Sequence, residues 1–139
     1  INHNWLNAAN VGWSWDLLQQ QRGKIESELG GEDEGAVQDV MEFRFGWSFE
    51  SFFEFLCQTL KRQLVKSQRS TASLLTAKRP TESLRADARL RLLALLRLQT
   101  LLKEVQETDA CMFICEMPKE YRRVPFAAKA LRAAWRALD

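Results

Sequence analysis

Apolar residues recur at three- and four-residue steps along most of the chain, the spacing of amphipathic helices. Val11, Trp15, Leu18, Ile25 and Leu29 predict a first helix over about Val11 to Leu29, closed by Gly30-Gly31. The acidic run Glu32 to Glu34 suits the positive start of a second helix, which carries Val37, Val40, Met41 and Arg44 along one side to about Phe45. Gly46 breaks the pattern and Ser48 fits an N-cap. Phe49, Phe53, Leu56, Leu60 and Leu64 then form a third stripe, widened by Phe52 and Phe55. The polar stretch Ser67 to Ser73 predicts a frayed end or a loop.

Thr81 is placed to cap a fourth, long helix running to about Glu107. Leu84, Ala88, Leu92, Leu95 and Leu102 share one of its faces. Leu90, Leu93, Leu96 and Leu98 make it apolar on more than one side, which suits burial between neighbours or a subunit contact. Thr108 to Met117 is ambiguous, and Pro118 and Pro125 bracket a charged connector. Pro125 fits the first turn of a last helix with the stripe Leu131, Ala134, Trp135 and Leu138. At the other end Ile1 to Trp5 alternates as a short strand would, with Asn2 and Asn4 on one side and Ile1, His3 and Trp5 on the other. Two Asn side chains on one strand face point to a polar pocket; a capped loop is the competing explanation. The fold class expected is therefore mainly α, a helical bundle preceded by one short strand.

Composition narrows the class. The 139 residues are 46% hydrophobic with five Trp, enough for a core. No run approaches the roughly 20 apolar residues of a membrane span. The first residues are not those expected of a signal peptide, and a chain opening at Ile1 is expected to be a piece of a longer polypeptide. Three cysteines, Cys57, Cys111 and Cys115, do not pair evenly, which favours a reduced, intracellular setting, cytoplasmic and also nuclear. Cys111 and Cys115 are spaced for a helix face, and with His3 as the sole histidine no zinc site is expected.

Charge is unevenly placed. Asp16 to Glu54 holds ten acids against three bases, and Lys61 to Lys103 holds eleven bases against two acids. Complementary solvated faces explain this; so does a basic surface for an acidic partner or RNA. The bases lack interleaved aromatics, so nucleic acid is not expected. No Gly-rich phosphate loop and no Ser-His-Asp or Cys-His set is present.

The run Ile1-Asn2-His3-Asn4-Trp5-Leu6-Asn7, followed by Asn10 and Trp15, resembles the last jelly-roll strand and first following helix of JmjC-domain oxygenases. Within them it is most similar to the lysyl hydroxylases of the eukaryotic translation-termination factor. Ser48-Phe49-Glu50-Ser51-Phe52-Phe53-Glu54-Phe55-Leu56 is similar to a second segment of that family at comparable separation. From about Lys66 onward no resemblance is seen.

The resemblance implies that residues 1–7 are the last strand of a truncated jelly roll and residues 8–139 a C-terminal helical region. It implies Fe(II) and 2-oxoglutarate as cofactors of the parent protein, with the iron triad of two His and a carboxylate upstream. His3 is then not a ligand, and the chain alone is catalytically incomplete. By the same resemblance Asn2 and Asn4 are cofactor-binding positions beside the 2-oxoglutarate carboxylate and the iron. The implied partners are the missing N-terminal barrel, closed at one end by Trp5, Trp13 and Trp15, a protein substrate such as a termination factor, and a second copy in a homodimer.

Overall fold

The computed structural model describes residues 10–31, 33–79, 81–108 and 116–137. Five α-helices run in order: α1 (Val11–Glu28), α2 (Glu34–Phe45), α3 (Phe49–Thr76), α4 (Glu82–Glu107) and α5 (Val124–Arg136). A 3-10 turn, Lys119–Arg123, leads into α5. Among the described residues there is no strand, so the mainly helical class holds. The strand expected over residues 1–7 lies outside the described residues.

The helix boundaries follow local chemistry. Gly30 and Gly31 take positive φ after α1, and Gly46 does so after α2, where a side chain would be strained. Asp33 caps α2 by accepting from the Ala36 N–H at 3.0 Å. Ser48 and Ser51 form a reciprocal capping box at the start of α3. Thr81 caps α4 by accepting from the Leu84 N–H at 3.2 Å. Pro125 sits in the first turn of α5, where no N–H is needed. No described helix is long and apolar enough to cross a membrane.

The two long helices α3 and α4 form an antiparallel pair, and α5 packs on both. Leu56, Leu60, Leu64 and Leu74 of α3 meet Ala88, Leu95, Leu98 and Leu102 of α4 and Val124 and Leu131 of α5 in one core. α2 packs against α1, and the core extends to both through Val11, Trp15, Leu18, Ile25, Val37 and Met41.

Three expectations need correction. The stretch Ser67 to Ser73 neither frays nor opens; α3 continues through it to Thr76. Ser67, Ser70 and Leu74 recur on the buried face, and small side chains there let α4 come close. Their hydroxyls find partners: Ser67 donates to the Leu64 carbonyl at 2.8 Å, and Ser70 donates to Asp87 of α4. Second, of the two explanations offered for the apolar faces of α4, burial between neighbours on all sides does not hold. Leu98 is buried, but Leu90 and Leu93 are 64% and 55% exposed. Third, Trp15 does not face outward to close a barrel; it is fully buried in this chain's own core. Trp13 beside it is 60% exposed, and Trp5 lies outside the described residues. In α5, Leu131 and Ala134 are buried as the stripe predicts and Trp135 is half-buried, while Leu138 lies outside the described residues.

Candidate functional site

Asn2, Asn4 and His3 lie outside the described residues, so their geometry is not placed. What is placed is the ground immediately after them. α1 begins at Val11, whose side chain is buried, and Trp15 follows one turn later on the same face. The Trp15 ring lies 4.7 Å from Phe49 and stacks on Phe52 at 5.7 Å between centroids. Phe52 in turn meets Trp47 edge-on at 6.0 Å and Phe55 at 6.3 Å, and Trp47 meets Phe55 at 5.5 Å. These offset and edge-to-face contacts are the arrangement aromatic rings favour.

This cluster joins the two segments that carry the family resemblance. Trp15 ends the first segment, and Phe49, Phe52 and Phe55 belong to the second. The sequence shows each stripe separately but not their meeting, because residues in different helices share no periodicity. The start of α1 is therefore packed into an aromatic cluster of α3.

A polar chain braces the same corner. Arg22 of α1 donates to both carboxylate oxygens of Glu34 in α2, at 2.9 and 2.6 Å. Gln38 donates to Glu34 at 2.7 Å and accepts from the Phe49 N–H at 2.7 Å. That N–H is one of the orphan donors at the start of α3. Three helices are thus tied through one glutamate and one glutamine. Burial raises the Glu34 pKa, but the hydrogen bonds from Arg22 and Gln38 and the Arg22 charge outweigh it, so the carboxyl sits below its ordinary value. The sequence offered no signal for this chain beyond the separate polar residues.

Beside the anchor opens a groove of about 910 Å³ whose lining includes Glu42, Glu50, Glu54, Glu116, Trp47 and Cys57. Cys57 is half-buried with a free thiol. Burial pushes its pKa up to about 11, against a smaller opposite pull from Lys61. A thiol held so far above neutral is not a thiolate nucleophile. Cys111 and Cys115 lie outside the described residues. Among the described residues no group of three or more His, Cys, Asp or Glu side chains is placed to hold a metal ion. The groove glutamates form no such group, and an iron centre is not assigned to them.

Comparison with known proteins gives a narrow match. No family model matches the chain, and no solved structure matches it. The arginine-specific demethylase JMJ20 of Arabidopsis thaliana is 34% identical over 62 residues, which covers 40% of this chain and 13% of that protein. Part of the chain is thus similar to a JmjC-domain protein, and the chain spans only a small share of that relative's length.

Proposed function

We propose that the chain is the C-terminal helical part of a JmjC Fe(II)/2-oxoglutarate-dependent protein hydroxylase, of the type that modifies lysine. The observation that carries this reading is the Ile1–Asn7 run, with the second similar segment at Ser48–Leu56. The partial identity to the Arabidopsis demethylase supports the wider class, not the lysyl specificity. Iron held upstream by two His and a carboxylate would activate O₂, the oxidant, for hydroxylation coupled to decarboxylation of 2-oxoglutarate.

In this reading the described helices form a support. Trp15 and the Phe49–Phe55 cluster fix the point at which the last barrel strand leaves the barrel. Asn2 and Asn4 project from that strand towards the co-substrate, where an amide N–H donates to a 2-oxoglutarate oxygen or holds a water. A protein substrate, such as a termination factor, and a second copy of the chain are the partners this role implies.

The test uses the longest natural polypeptide that contains this chain, with Fe(II), measuring release of succinate from 2-oxoglutarate. Turnover is expected, and Asn4→Ala should raise the 2-oxoglutarate requirement severalfold while leaving the melting temperature unchanged. An upstream sequence without His-x-Asp or His-x-Glu and a later His would sink the oxygenase class. Turnover with an unaltered 2-oxoglutarate dependence in Asn4→Ala would sink only the role of Asn4, leaving Asn amides at strand-end backbone groups.

A further inference from the structure

The seam between α3 and α4 has two sides, and they are covered differently. Gln63 accepts from Arg91 at 3.4 Å and Ser70 donates to Asp87, which marks the seam itself. On one side lie the 3-10 turn and α5. The Glu120 charge acts on Cys57, and Tyr121 shares a pocket wall with Gln99 and Lys103. On the other side lies α1, whose Gly12 is in contact with Arg97: a Cβ there would stand 3.4 Å from the Arg97 Nε.

Counting round each helix away from α5, the next positions on α3 are Arg62, Lys66 and Arg69, and on α4 Leu90, Leu93 and Arg97. Arg62, Lys66 and Arg69 stand at i, i+4 and i+7, a row about 10 Å long. All three are exposed, and no ion pair reaches them among the described residues. Across the seam, Asp87 is already engaged by Ser70 and by Arg91 at 3.1 Å. Leu90 and Leu93 lie parallel to this row, solvent-exposed. The result is a row of unneutralised cations beside a pair of exposed leucines.

We propose that this α3–α4 face is a docking site for an acidic amphipathic helix of a partner protein. Charge complementarity selects the partner. A helix laid along the seam presents carboxylates at the same i, i+4, i+7 period to Arg62, Lys66 and Arg69 and an adjoining apolar stripe to Leu90 and Leu93. Single-stranded nucleic acid fits less well, because neither α3 nor α4 carries an exposed aromatic on which bases could stack. The proposal does not depend on the oxygenase reading.

The test is fluorescence anisotropy of the 139-residue chain with a labelled helical peptide of about 20 residues carrying Glu and Leu in adjoining stripes. Binding is expected, weakening as salt is raised. Arg62→Glu/Lys66→Glu/Arg69→Glu should weaken it by roughly tenfold or more. Leu90→Gln/Leu93→Gln, which leaves every charge in place, should weaken it severalfold. Lys129→Glu/Arg132→Glu on α5 should not change it, and circular dichroism confirms folding of each variant. No binding by the wild type, or equal binding by the folded α3 and α4 variants, overturns the proposal. So does capture of phosphatidylserine vesicles or single-stranded RNA in place of the peptide. Loss of peptide binding in the longer natural polypeptide also overturns it, since another part of the protein would then occupy the face.

Discussion

Glu34 shows how much one side chain can hold. It takes both nitrogens of Arg22 and the Gln38 amide, and Gln38 then satisfies the Phe49 N–H. Glu34→Gln removes the charge from a bidentate, half-buried pair and should destabilise the fold by about 1–3 kcal/mol at neutral pH. The pH dependence has a definite sign. The folded-state pKa lies below the ordinary 4.5, so the contribution is fully present above that value and is lost as pH falls through the lowered one. Urea midpoints of the wild type and Glu34→Gln should therefore converge on acidification. A gap that stays constant from neutral pH down to pH about 3 would show that the Glu34 charge is not its source.

At the scale of the element, helix starts and stops were legible because they depend on local chemistry: Gly46, the Ser48 cap and the Thr81 cap stand where the structure uses them. The continuation of α3 was not legible, since seven residues of mixed polarity read alike whether buried or exposed. The distinction is tertiary. Ser67 is buried on the inner face of α3, whereas Ser73 faces solvent. Ser67→Leu should overpack the interior and cost about 1–3 kcal/mol. Ser73→Leu should stay within about 0.5 kcal/mol of the wild type. Equal urea midpoints for the two variants would mean that small residues are not what sets the close approach of α3 and α4.

Across the whole molecule, the alternation of Asn2 and Asn4 suggested a polar pocket and the family resemblance suggested a co-substrate for it, while both residues lie outside the described ones. The meeting of the two resembling segments needed three dimensions. That meeting decides how the chain unfolds. α1 and α2 pack chiefly on each other, while α3, α4 and α5 form the larger bundle. Without the aromatic anchor the polar chain from Arg22 through Glu34 and Gln38 to the Phe49 N–H would be the main remaining tie described between them. Trp15 set between Phe49 and Phe52 merges them, because Phe52 sits in the same core as Leu56 and Leu60. Trp15 and Trp47 both report on this junction, while far-ultraviolet circular dichroism reports on all five helices. The two signals should follow one urea transition. Phe52→Ala should shift both together by an amount equivalent to about 3–5 kcal/mol. A fluorescence transition that precedes the loss of helix, in the wild type or the variant, would show that α1 and α2 detach first and that the anchor does not couple the two parts.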